Sequence, residues 1–362
     1  MSRRRRAGWR LTAALLVLVA CQPAAGSSAP AGGAPPAAPT AAASGAGAPA
    51  GPGAGQAPPA PTKLTVSFSQ INGNEIPLWV AKEAGIFTQN GLDPDLQLVE
   101  GNKGIASLLA GETQFADIGG SQTMSAVASG GDLVVLGVIA PVYQFVFMVA
   151  PEIKTAADLK GKTIGVSTLG DSSDIATRLV LSKLGLDPTT DVTIVTTGSS
   201  ANRRAALVNG AIQAGMSSPP ESLLLEDEGF SVLVDMTTLD LATATQAEVG
   251  QRSYVSAHPD VTQRYMDSIV EGIARARRDK DFAVGVMKKY FQSSDDRTMG
   301  RTYDFYMDRV IPSLPFPKPE QFRESQTILG ATNESVRQLD LSQMLDPSFV
   351  QSAADRGLDH QG

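Results

Sequence analysis

Cysteine is nearly missing from this chain, with Cys21 the only one among 362 residues. That excludes a disulfide framework, and it leaves the body of the protein without a cysteine metal site or a thiol nucleophile. Histidine is almost as scarce, and only His258 and His360 are present. Metal and nucleophilic chemistry therefore lack their usual residues, and we expect no metal, no cofactor and no catalytic residue. Carboxylates could still act as acid and base, but nothing in their spacing singles out a pair. Long apolar runs are missing too. Leu11 to Val19 is the longest near the N-terminus, well short of the about 20 residues that cross a bilayer core of ~30 Å.

What stands at the N-terminus is informative. Arg3, Arg4, Arg5, Arg6 and Arg10 precede that short run, and small residues follow it. This is the layout of a secretory signal over residues 1–20; a twin-arginine signal fits less well, because the apolar residues it needs after the arginines are poorly placed. The run ends Leu18-Val19-Ala20-Cys21, which resembles the lipobox of bacterial lipoproteins. The resemblance implies acylation of Cys21 and a new N-terminus there; a free thiol beside an ordinary cleavage site is the alternative. Diacylation with N-acylation would supply the several chains that stable anchoring needs. The expected location is exported and lipid-anchored to the cell membrane, on the cell-surface or periplasmic side. A chain that folds there without disulfides depends on its own core.

Residues 22–62 contain only Gln, Pro, Ala, Gly, Ser and Thr. No large apolar side chain is available to offset ordering entropy. With Cys21 they form a linker, residues 21–62, whose root-mean-square span as a coil is roughly 35 Å. Removing the signal deletes five arginines and no acid, leaving 25 Lys+Arg against 37 Asp+Glu, a net charge of −12. Such a surface argues against nucleic acid and against direct binding to anionic lipid.

The body repeats itself after about 99 residues. Lys63-Leu-Thr-Val-Ser-Phe-Ser69 matches Lys162-Thr-Ile-Gly-Val-Ser-Thr168, and helical patterns follow at Ile76 to Phe87 and Ser173 to Leu184. Both stop at Gly-Leu-Asp-Pro (91–94 and 185–188), where Gly caps and Pro blocks continuation. Strands are expected at Asp95 to Glu100 and Asp191 to Thr196. A second helix then leads in each half to Gly111-Glu-Thr-Gln114 and Gly210-Ala-Ile-Gln213, and a strand ends at Gly119-Gly120-Ser121 and at Ser217-Ser218-Pro219. Strand and helix in alternation predict two α/β lobes with mainly parallel sheets. The first would comprise residues 63–150 plus 241–362, the second 151–240, with crossovers near Phe147 to Pro151 and Thr237 to Glu248. Helices are expected in the tail at Asp260 to Met287, Asp296 to Val310, Gln321 to Leu329 and Ser335 to Leu341, packing back on the first lobe.

Several motifs carry a resemblance. Asp158-Leu-Lys-Gly-Lys-Thr-Ile-Gly-Val166, Gly85-Ile-Phe87 after Val80-Ala-Lys-Glu83, Gly111-x-x-Gln-x-Ala-Asp117, Leu184-Gly-Leu-Asp-Pro188 and Ser218-Pro-Pro220 resemble the ABC-transporter substrate-binding proteins of the nitrate, sulfonate and taurine type. The likeness runs from Lys63 to Pro312. It implies a type II periplasmic-binding-protein fold with a hinge, a ligand cleft between two lobes, and closure on binding. The implied partners are a small-molecule solute and the permease and ATPase subunits of an importer, the protein itself being a monomer.

In parallel sheets, ligands bind beyond the carboxyl ends of the strands. The loops there are rich in hydroxyls, amides and glycine, which donate hydrogen bonds or let backbone approach. The candidate ligand residues are Ser69, Gln70, Asn72, Asn74 and Glu75 in the first loop and Gly119, Gly120, Ser121 and Gln122 in the second. Thr168, Leu169, Gly170, Asp171 and Ser172 form a third set, followed by Ser199 and Asn202, and by Ser217, Ser218 and Pro219. Tyr143 joins them from the crossover, where core packing is the competing role for it and for Phe145. Asp171, Ser172 and Ser173 could equally cap the following helix. Asp117 is expected to hold loop backbone, Trp79 and Phe87 to be core, and His258 to sit on the surface at a helix start. Arg203 and Arg204 read as a solvated helical face, with an anion clamp as the other reading.

Helix N-termini suit an anionic solute, yet no arginine or lysine falls inside these loops, and Glu75, Asp171, Glu221 and Glu248 lie on or near them instead. An unpaired acid beside an anion is costly, so the expected solute is neutral or heteroaromatic, with a sulfonate or carboxylate next. The other classes open are an enzyme of the same fold, of the kind that makes a thiamine pyrimidine precursor, and a surface sensor or receptor domain.

Overall fold

The computed structural model describes residues 60–239 and 241–360. The signal, Cys21 and the linker to residue 59 lie outside the described residues. The strands are β1 (Thr62–Phe68), β2 (Leu92–Leu98), β3 (Phe115–Ile118), β4 (Leu133–Val142) and β5 (Val146–Val149), then β6 (Thr163–Val166), β7 (Thr193–Thr196), β8 (Ala214–Ser217), β9 (Ser231–Asp235) and β10 (Ala242–Gln251). They form two five-stranded sheets, ordered β2-β1-β3-β10-β4 and β7-β6-β8-β5-β9. In each sheet the fourth strand runs antiparallel to both its neighbours, and that strand is the one that has just crossed from the other sheet.

The internal repeat persists down to single hydrogen bonds. Gln114 Oε1 accepts from Thr65 N–H at 2.8 Å, and Gln213 Oε1 accepts from Thr163 N–H at 3.2 Å. Their side-chain amides turn back to donate to Gly111 O and Gly210 O. Both glycines hold a left-handed φ, +74° and +76°, a region closed to most residues. Gly-x-x-Gln is thus a buckle that ties the end of one helix to the strand that opens each repeat, β1 or β6.

Boundaries differ from expectation where a local signal had a competitor. β1 opens at Thr62, so the linker ends one residue early. The first helix stops at Glu83, and a separate turn, Ile86–Gln89, follows Gly85. Pro94 does not delay the next strand, because β2 is an edge strand and tolerates a missing donor. The first crossover is Tyr143 to Gln144 to Phe145, since β5 is already paired in the second sheet. Phe147 to Ala150 therefore belong with that sheet, not with the first lobe. The expected helix over 260–287 is two, Pro259–Arg278 and Lys280–Phe291, because the Asp279 carboxylate caps a new start at Phe282 N–H. A last helix, Ser348–Asp355, has no counterpart in the sequence reading.

Each sheet has its own core. The first gathers Trp79, Phe87, Phe115 and Tyr265, with Tyr303, Tyr306 and Val350 from the helical tail. The second is built on Phe147, Ile164, Ile175 and Met216, and it takes in Tyr143 and Phe145 from the crossover. The two crossing segments are tied directly: Met236 N–H donates to Phe145 O, and Thr245 Oγ1 donates to Gln144 Oε1 at 2.6 Å.

Candidate functional site

The two sheets face one another across a cavity of about 440 Å³. Its wall is made at strand ends. Ser69 and Gln70 follow β1, Gly119 and Gln122 follow β3, Thr168, Asp171 and Ser172 follow β6, and Ser199 follows β7. All eight are among the residues singled out from sequence. Contacts across the cleft close it: Ser121 Oγ donates to Gly170 O (3.3 Å), and Ser172 Oγ donates to Thr245 O (3.2 Å).

The other candidates lie elsewhere. Asn72 and Asn74 are buried behind the wall, where the Asn72 carboxamide accepts from Asn74 N–H. Glu75 is enclosed completely. Tyr143 is core, and burial pushes its hydroxyl up to about 12. Leu169 and Gly170 sit in a separate surface hollow with Ile105 and Leu109. Asn202 N–H is bound to Ser199 Oγ, the cap of its helix. Ser217, Ser218 and Pro219 end β8 away from the wall, and the Pro219–Pro220 bond is cis. Gly120 serves packing, because a Cβ there would come within 2.6 Å of Ala244 Cβ and 2.8 Å of Phe322. A bulky residue at 120 would therefore disturb the lobe itself.

Glu100, Gly101, Lys103, Phe145, Ser167, Ser173, Thr196, Gly198, Arg203, Thr245 and Gln246 complete the wall. Ser167 extends the third loop by one residue at its start, and Phe145 belongs to the second core while also lining the cleft. Arg203 corrects the sequence reading most. It is 2% exposed, not on a solvated face. Its guanidinium donates to Met216 O, to Ser167 Oγ at 2.7 Å and to Ser200 Oγ at 3.3 Å. Burial lowers its pKa, and the charges of Asp171 and Glu221 oppose that. Asp171 is the cap of the helix Ser172–Lys183 and accepts from Ser173 N–H, Asp174 N–H, Ser173 Oγ and Thr168 N–H. Burial still leaves its carboxyl above the ordinary range.

A second group of acids lies behind the first-sheet wall. Glu75, Asp117 and Glu248 are 0–1% exposed. Desolvation pushes Asp117 up to about 7, against hydrogen bonds from Glu75 and Gln246 that pull it down. Desolvation, and then the charge of Asp117, holds Glu75 and Glu248 well above the usual carboxylate range. Ser69 N–H is held by the main-chain carbonyl of Asp117 at 3.1 Å, but the Asp117 side chain, expected to hold loop backbone, lies with these acids instead. Among the described residues, no group of three His, Cys, Asp or Glu is arranged to hold a metal ion, and no helix is long and apolar enough to cross a membrane.

Residues 72–283 match the family model described as NMT1/THI5 like. The chain belongs to that family. This NMT1/THI5-like protein is similar to the putative binding protein YtlA of Bacillus subtilis (strain 168), with 23% identity over 285 residues, 76% of this chain and 85% of that one. Among solved structures, it is similar to the alkanesulfonate-binding protein SsuA from Xanthomonas axonopodis pv. citri bound to MOPS. There the identity is 21%, the TM-score 0.65, and 80% of this chain and 99% of that chain are covered. The desulfurization enzyme DSZB shares the fold at 19% identity and a TM-score of 0.61, covering 82% and 99%. The NMT1/THI5-like chain thus has the periplasmic-binding-protein fold.

Proposed function

We propose that this protein is the extracytoplasmic solute-binding component of an ABC importer, held to the membrane by a lipid on Cys21. It captures a small organic solute bearing an oxyanion head, such as a sulfonate or carboxylate, and delivers it to a permease. Lobe closure is biased by the contacts a solute makes with both walls. The observation that carries this reading is Arg203, a buried guanidinium on a wall that is mostly hydroxyls, amides and glycine, with Lys103 as its other cation. The neutral or heteroaromatic solute loses its basis, because it depended on a cleft without basic side chains, and Phe145 is the one aromatic side chain on the wall. Of the acids counted against an anion, Asp171 is satisfied by its own helix start and Glu75 is off the wall, while the wall's remaining acid, Glu100, shares it with Lys103.

Thermal-shift measurements decide between the solute classes. Butanesulfonate, MOPS or hexanoate at a large excess over Kd should raise Tm by several degrees, about 3 kcal/mol at a hundredfold excess. Stabilisation by pyrimidines or amides alone would reject the oxyanion reading. For the anchor, intact-mass analysis of the protein from its native membrane should show a chain beginning at Cys21 and carrying acyl mass. An unmodified terminus, or one downstream of Cys21, would remove the anchor.

A further inference from the structure

Gln246 connects the cavity to the enclosed acids. Its Nε2 lies within hydrogen-bond distance of Ser69 Oγ (3.2 Å) and Glu75 Oε1 (3.0 Å) and also acts on Asp117. With Ser69 Oγ accepting from behind, the hydroxyl hydrogen of Ser69 is left for the cavity. Glu75 lies on the 3₁₀ turn Gly73–Glu75, Asp117 on β3 and Glu248 on β10. Asp117 and Glu248 are direct cross-strand partners, a placement that two ionised carboxylates oppose.

The titratable groups acting on these three carboxyls are one another, Tyr265 and Tyr306, with no lysine, arginine or histidine among them. Tyr265, from the helix Pro259–Arg278, donates its hydroxyl hydrogen to Glu248 Oε2 at 2.6 Å. Tyr306 comes from the helix Asp296–Arg309. Glu75 Oε2, Asp117 Oδ1 and Glu248 Oε1 are buried and receive no hydrogen from a neighbouring donor. Glu75 and Asp117 instead hydrogen-bond each other. Enclosed carboxyls with so few donors and no facing cation keep protons of their own.

We propose that solute capture is proton-linked: protons shared among Glu75, Asp117 and Glu248 fix Gln246 and Ser69 on the cavity wall, and losing them weakens the hold on an anionic solute. This rests on reading the cavity as a solute site. Glu75 is then a positioning residue, one hydrogen bond removed from the wall. As pH rises the cluster ionises, placing negative charge behind the donors that would meet the solute. Anion binding and proton retention therefore favour each other, and binding above the transition takes up protons. Asp117, pushed up to about 7, sets the window around neutrality.

The test is calorimetric titration of the mature protein with butanesulfonate, whose own charge is constant over the range used. Between about pH 6 and pH 8 its Kd should rise by roughly tenfold, the size expected from a proton-affinity change of about one pKa unit. Protons should be taken up on binding at the upper end. Asp117→Asn removes the carboxyl that titrates in this window, so it should bind at both pH values with a Kd that changes by less than about twofold. Glu75→Gln, which keeps an acceptor for Gln246 but cannot ionise, is the second variant should Asp117→Asn fail to fold, and it should reduce the slope. The other charged groups of the cavity, Glu100, Lys103, Asp171 and Arg203, are untouched by either change. Tight binding with a pH-independent Kd in the unaltered protein, or an undiminished slope in the variants, overturns the inference alone. Failure of butanesulfonate to bind at any pH overturns the oxyanion reading and the inference with it.

Discussion

Methionine in place of Arg203 should lower the unfolding free energy by about 3–5 kcal/mol, the cost typical of removing one member of a buried charged network. The side chain is 2% exposed and serves acceptors on three segments: Ser167 after β6, Ser200 at a helix start, and Met216 on β8. Methionine fills similar space but leaves those acceptors without donors and Asp171 without its opposing charge. Lysine keeps the charge, yet a single ammonium cannot reproduce three differently directed donors. Arg203→Lys should therefore recover part of the loss only. Urea unfolding of the three proteins measures it, and a loss for Arg203→Met below about 1 kcal/mol would show that the guanidinium is hydrated in solution. The same variant should bind butanesulfonate at least about tenfold more weakly, because it removes a positive charge from a partly desolvated wall.

The second large effect concerns Asp117 and appears as a stability gain. Its carboxyl ionises at about 7 in the folded protein against an ordinary value of 3.8. Over that interval the unfolded chain releases a proton that the folded chain keeps, so stability falls as pH rises from about 4 and levels off above about 7. The full displacement corresponds to about 4 kcal/mol. Asparagine cannot ionise, and Asp117→Asn removes this penalty. The difference between variant and parent should thus be small near pH 4 and grow in favour of the variant to a plateau near pH 8. Thermal unfolding across that range checks the shape of the curve. A difference that stays constant with pH would mean that Asp117 titrates alike in both states.

What could be read from the sequence, and what could not, divides along the range of the interactions. The Gly-x-x-Gln buckles, the caps and the paired strand starts are set within a few residues of one another, so the repeat and the loops it generates were visible in the chain. Eight wall residues came with them. Gln246 and Thr245 were not visible, because they reach the cavity only through the pairing of β10 between β3 and β4, more than a hundred residues away in sequence from either strand. Arg203 was misjudged for a related reason. Its helix shows basic residues at two adjacent positions, and only acceptors brought by other strands, Met216 O on β8 and Ser167 Oγ after β6, draw one inward while Arg204 pairs with Glu228 at the surface. Phe147 was put in the wrong lobe since an apolar strand gives no local sign of which sheet it joins.

The crossing strands carry one more consequence. Every strand of the second sheet, β5 to β9, comes from an unbroken stretch of chain, Val146 to Asp235, whereas the first sheet has a gap between β3 and β4 that only β10 fills. A ribosome or a translocation channel delivers residues in order, so the second sheet has all its strands before the first does. The lobe that the chain begins first is the one it completes last, and until Gln251 has emerged the strand that bears Gln246 is not there to close the wall.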